Sequence, residues 1–155
     1  MQYLWYLVNS IINNFALMCS LLGWLIASFA KIIVSLIKEK RLDFRRIYGS
    51  GGMPSSHSAT VSSLATAVAK TDGMQSTNFA IAFMFAFIVM YDASGVRRAA
   101  GEQARILNQL VNNLSEHKPV YLKKNLKELI GHTPLEVVVG ALLGILIGLV
   151  MPYHA

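Results

Sequence analysis

An all-α fold, an integral-membrane bundle of about four crossing helices with amphipathic helices on its surface, is what this sequence predicts. Three observations carry that expectation. The 155 residues are 54% hydrophobic and only 14% charged, with a mean hydropathy of +0.48, whereas soluble domains carry about 25% charged residues. The apolar residues gather into spans separated by basic stretches. The first span, Phe15–Ile37, holds one charge, Lys31, and at about 1.5 Å rise per residue it reaches across a hydrocarbon core of about 30 Å. The length suits a single membrane-embedded domain over residues 1–155. So apolar a chain is not intrinsically disordered, and its one cysteine, Cys19, cannot staple a small secreted scaffold.

Lys31 lies near enough to one end of the first span to snorkel. The aromatic run before it, with Tyr3, Trp5 and Tyr6, reads as an interfacial segment or as the frayed start of the same helix. Lys31 is also the first basic residue, so neither a secretory n-region nor an Arg-rich transit pattern is expected. The second span, residues 55–70, is rich in Ala, Ser and Thr. It fails as a lipid-facing helix on hydropathy, but small residues and hydroxyls suit one surrounded by other helices. The third, residues 78–93, is dominated by Phe, Ala and Met, and the fourth, residues 134–151, carries Gly140, Gly144 and Gly148 along one face. That stripe predicts close helix packing. Between the third and fourth spans lies a polar insert, residues 94–131. Within it Leu107, Leu110, Val111 and Leu114 have amphipathic helical spacing. A second short helix is expected from Pro119 to Gly131, with Lys123, Lys124 and Lys127 on its polar side. Both insert helices suit either the headgroup level of a bilayer or a cover over the end of the bundle.

Net charge is +6, which suits nucleic acid, anionic lipid or a phosphorylated ligand. The charges fall between apolar spans, so nucleic acid is not expected as a partner. If four helices cross, the loop after the first span and the insert before the fourth share one side. Every Lys and Arg except Lys31 and Lys70 falls on that side. Basic loops stay cytoplasmic, which places the N-terminus and the Lys70 loop outside, in a cell inner or plasma membrane. A phosphate site would concentrate the same charges on its own side whatever the topology.

Three polar clusters fall on the basic side. The first, residues 38–46, is a charged run that by itself is more often a stop-transfer anchor than a site. In the second, glycines 49, 51 and 52 precede Pro54-Ser55-Ser56-His57 at a helix start. Free backbone N–H groups and a positive dipole end meet there, a geometry that binds phosphate. A flexible linker with a serine cap is the plainer explanation, but a histidine in the first turn of a membrane helix is costly and usually functional. The third is Gly131-His132-Thr133-Pro134-Leu135-Glu136. Thr133 to Glu136 spell a capping box with Pro134 at the first helical position. Glu136 is also an acid inside a span, one turn from His132. A carboxylate on one imidazole nitrogen fixes the tautomer and leaves the other nitrogen nucleophilic.

Together these clusters resemble the type-2 phosphatidic acid phosphatase and vanadium haloperoxidase superfamily, whose pattern is Lys-x6-Arg-Pro, Pro-Ser-Gly-His and Ser-Arg-x5-His-x3-Asp. Lys38-x6-Arg45 matches the first element with Arg46 in place of proline, Pro54-Ser55-Ser56-His57 the second with Ser56 for glycine, and His132-x3-Glu136 the third with Glu for Asp. The chain is similar to the short divergent branch of that superfamily, of which residues 91–101 and 131–134 are also reminiscent. The resemblance implies that Lys38, Arg45, Ser55 and Ser56 bind the phosphate. It further implies that His57 protonates the leaving group, that His132 is the nucleophile and that Glu136 orients it. No metal or cofactor is implied, since fixed cations and amides stabilise the transferring phosphoryl group. The arginine six residues before the family's nucleophile is absent, its place being taken by Leu126. Arg97 or Arg98 is the expected substitute, because a guanidinium grips two phosphate oxygens where an ammonium grips one. Asp92 either holds one of these arginines in place or makes a plain helix-end ion pair.

The expected function is a membrane lipid-phosphate phosphatase, with phosphatidylglycerol phosphate a candidate substrate and a phosphohistidine intermediate at the cytoplasmic face. A catalytically weak protein of the same fold that binds anionic lipid or a partner is the alternative. A small carrier or channel built as a homo-oligomer is a third, suggested by the glycine stripe and Glu136.

Overall fold

The aromatic N-terminal run and the first span are two helices. α1 (Gln2–Ile12) buries no residue and ends at Asn13. Asn14 then starts α2 (Phe15–Glu39), its Oδ1 accepting the Leu17 N–H at 3.0 Å. An asparagine at that point competes with continued helix and supplies a cap instead, so α1 is a separate segment and not a frayed extension. The computed structural model describes residues 1–39, 52–115 and 131–153, and among them every regular element is a helix.

α3 (Ser56–Asp72) is the central element, packed against α2, α4 (Thr77–Ser94) and α6 (Pro134–Val150). Its polar sequence is compatible with burial because its hydroxyls are satisfied within the helix. Thr60, Ser63 and Thr66 donate to the carbonyls of Ser56, Ala59 and Ser62 at 2.6, 2.8 and 2.8 Å. Each bond removes a buried unpaired donor of the kind that costs about 1–3 kcal/mol. The expectation of a second helix enclosed by protein is met.

The glycine stripe explains how closely α6 approaches. A Cβ on Gly140 would overlap the Ser55 carbonyl, one on Gly144 the Ala59 carbonyl, and one on Gly148 the Thr66 side chain. On the other side of α3, a Cβ on Gly23 would overlap Ser63 Oγ. α3 therefore lies backbone-close to two helices at once. α4 turns Ala82, Ala86 and Ala93 inward, where Ala82 and Ala86 join Val61 and Ala65 in an apolar cluster. Its phenylalanines 83, 85 and 87 point outward and stay exposed, as a lipid-facing surface requires.

α5 (Val96–Ser115) starts directly after Gly95, well ahead of the Leu107–Leu114 stripe that predicted a helix here. Leu107 and Leu110 are exposed. The second insert helix expected at Pro119–Gly131 lies outside the described residues up to Gly131 itself. α2 and α4 are long and apolar enough to cross a membrane, and the protein is an all-α membrane bundle. At the end opposite the polar clusters, Lys70 Nζ donates to the Leu149 and Met151 carbonyls at 3.1 and 2.7 Å. A cation there complements the negative end of α6.

Candidate active site

The second and third clusters meet at the end of the bundle where α3 and α6 begin. Ser55 caps α3, its Oγ accepting the Ser58 N–H at 3.3 Å and the Ser58 hydroxyl at 3.0 Å. The Ser55 N–H donates to the Glu136 carbonyl at 3.0 Å, which ties the start of α3 to the first turn of α6. Gly52, at φ 88°, turns the chain into this position, a backbone region that favours glycine. Ser55 Oγ is thus engaged in shaping the turn. The amides of Ser56 and His57, the first two of the helix, have no carbonyl partner within it and point along the positive end of the dipole.

His132 faces His57 across this point, with ring centroids 6.1 Å apart and planes inclined at 65°. The two imidazoles are held differently. His57 is exposed at the rim. His132 is only 2% exposed, and its backbone N–H donates to the Ala93 carbonyl at 3.0 Å. Its Nδ1 lies 3.1 Å from Glu136 Oε2. The same oxygen accepts the Thr133 N–H, and with Nδ1 as its second donor the Nε2 lone pair is left open. Nε2 is buried and has no hydrogen-bond partner among the described residues.

The capping box and the histidine contact coexist. Thr133 Oγ1 accepts the Glu136 N–H at 3.3 Å, and Glu136 Oε2 accepts the Thr133 N–H at 3.1 Å. One oxygen, Oε2, therefore both caps α6 and orients His132, so no division of labour between the two oxygens is needed. Burial pushes the His132 imidazole below its ordinary value of 6.5, and Lys31 and Arg97 push the same way. The hydrogen bond and charge of Glu136 oppose them without reversing the shift. Below neutral pH the ring consequently stays unprotonated further than a free histidine would.

Lys31 was expected to snorkel, and it does not. It is 2% exposed, and its Nζ donates to Ser56 Oγ at 3.3 Å. Its field reaches both imidazoles, as does that of Arg97. A lysine drawn inward leaves its hydrated end for a polar pocket, so only the pocket can repay the desolvation. Sequence reasoning passed over it although two signals were available. A charge inside an apolar span is functional by default, and Lys31 precedes Lys38 by seven residues, two turns along one helical face.

Arg97 is held by Asp92, with Nε 2.7 Å from Oδ2. The backbone of Arg97 and Arg98 is pinned to the His132 loop, because any Cβ on Gly131 would overlap the Arg98 main chain. Lys38 lies in the last turn of α2 with only its backbone described, and Arg45 lies outside the described residues, so neither is brought into the site here. Among the described residues no group of three or more His, Cys, Asp or Glu gathers to hold a metal.

A family profile described as the divergent PAP2 family matches residues 12–147. The chain belongs to the divergent PAP2 family. It is 43% identical over 153 residues to a protein of Bacillus subtilis (strain 168) described as the uncharacterized membrane protein YuiD, covering 92% of this chain and 97% of that one. No solved structure matches this chain.

Proposed function

We propose that this divergent PAP2 protein is a metal-independent phosphatase of membrane lipid phosphomonoesters, working at the cytoplasmic face of a multi-pass bundle. The observation that carries the proposal is the buried Nε2 of His132, without a hydrogen-bond partner among the described residues, on a ring held by Glu136 and facing His57. A buried nitrogen lone pair without a partner is costly to maintain, and nucleophilic attack gives it a purpose.

In the first step His132 Nε2 attacks phosphorus and the bond from phosphorus to the lipid oxygen breaks. The leaving alkoxide takes a proton from the His57 imidazolium. In the second step water attacks the phosphohistidine, the phosphorus–nitrogen bond breaks, and neutral His57 accepts the proton from water. Lys31, Arg97 and the Ser56 and His57 amides supply fixed positive charge for the equatorial oxygens, the largest source of catalysis in such transfers. Lys38 and Arg45 are assigned to the same phosphate from their motif positions, Arg98 as the other candidate for the missing motif arginine, and Ser55 to shaping the turn. Phosphatidylglycerol phosphate is the candidate substrate, since a headgroup made on the inner face fits a site on the basic side.

The test is phosphate release from phosphatidylglycerol phosphate and phosphatidic acid by the purified protein beside His132→Ala. Release that falls at least a hundredfold in the variant is expected. Equal release by both proteins would remove His132 from the reaction.

A further inference from the structure

α4 and α6 both lean on α3 yet scarcely touch each other. Between them runs a groove of about 370 Å³, floored by Ala65 and Ala69 of α3 and walled by Phe83 and Phe87 of α4 and Ile145 and Leu149 of α6. The two hydroxyls on its surface are already engaged. Thr66 Oγ1 donates to the Ser62 carbonyl at 2.8 Å, and Ser62 Oγ turns toward Met90 Sδ at 3.9 Å. The groove therefore presents hydrocarbon to whatever occupies it.

Its position gives the occupant. On α3 the groove opens at Ser62, five residues beyond His57, and on α6 at Ala141, five residues beyond Glu136. Five residues of helix are about 7.5 Å, and Met90, which lines the same end of the groove, lies one turn before Ala93, whose carbonyl accepts the His132 N–H at 3.0 Å, so that end of the groove adjoins the His132 loop. The α4 wall, from Phe79 to Met90, runs on for about 16 Å, close to one leaflet's half of a core about 30 Å thick. Alanine at 65, 69 and 141 gives the groove its depth, since larger side chains would fill it.

We infer that this groove seats one hydrocarbon chain of the lipid whose phosphate lies between His57 and His132. The inference rests on the phosphatase proposal for its headgroup end. Filling with methylenes adds about fourfold in affinity per group when the chain comes from water and less when it comes from a bilayer.

Two photoreactive lipids of identical chain, one ending in a phosphate and one in a hydroxyl, test this on the purified full-length protein in detergent micelles. Peptide mapping reads labelling of residues 83–87 of α4 and 145–149 of α6. Labelling at least fivefold greater from the phosphate lipid is expected. It should fall to the hydroxyl lipid's level in Lys31→Met, which weakens the headgroup anchor, and in Ala141→Trp, which fills the mouth. Equal labelling of the unsubstituted protein by both lipids would overturn the inference, leaving an ordinary lipid-facing cleft, and that comparison needs no variant to fold. Phosphate-dependent labelling without phosphate release from any lipid would refute the phosphatase reaction while leaving the chain site standing.

Discussion

Lys31 and Glu136 each set function against stability, and their variants separate the two. A buried ammonium is held at a desolvation cost, and apolar replacement of such groups is often neutral or stabilising. Lys31→Met is therefore expected to leave the thermal midpoint unchanged or raised, while phosphatase activity drops about a hundredfold or more, the loss typical of one fixed electrostatic donor. A midpoint lowered by several degrees would instead make Lys31 a structural group. Glu136→Gln keeps a residue able to close the capping box but removes the carboxylate charge. The rate is expected to fall by about 10²–10⁴. Burial lowers the His132 value and Glu136 partly restores it, so losing Glu136 lowers it further, and the acid limb of the pH–rate profile should move to lower pH. A limb that stays in place would mean that His132 is not the group titrating.

At the scale of elements, the account depends on backbones packed too closely for side chains. Gly144→Leu is expected to destabilise the bundle by at least about 1–3 kcal/mol, the usual cost of overpacking, because its side chain would meet the Ala59 carbonyl. Thermal unfolding in detergent reads this directly. Gly131→Ala pushes instead on the start of α5 at Arg98, so activity should fall more than stability. The glycine stripe, the Ala/Ser/Thr helix and the capping box were legible in the sequence because each is a local pattern with one physical use. The break at Asn13–Asn14 and the early start of α5 were less so. An asparagine cap and an Asp92–Arg97 pair compete weakly with a continuing apolar pattern, and only the assembled chain settles which one wins. The inward turn of Lys31 was legible in principle. A lysine near a span's end has two outlets, however, and which one it takes depends on Ser56 and the imidazoles arriving from other helices.

For the whole molecule, the two histidines, 75 positions apart in the sequence, come together because α3 and α6 start at the same end and share one backbone-close interface. Their convergence could be expected from motif order, and so could a substitute arginine at 97 or 98, but which of the two is held beside the histidines could not, since that depends on the Gly131 contact and the Asp92–Arg97 ion pair. Orientation in the membrane is open to a direct check. Gln75→Cys, in the turn between α3 and α4, should react with a membrane-impermeant maleimide in intact cells, whereas Glu102→Cys should react only after permeabilisation. The reverse pattern would place the site outside. The central claim is that His132 becomes phosphorylated in turnover. Rapid alkaline quench of the protein mixed with a lipid phosphate, followed by peptide mass spectrometry, should find phosphate on His132 and none in His132→Ala. Phosphate release without any phosphoryl group on His132, or release undiminished in that variant, would contradict it.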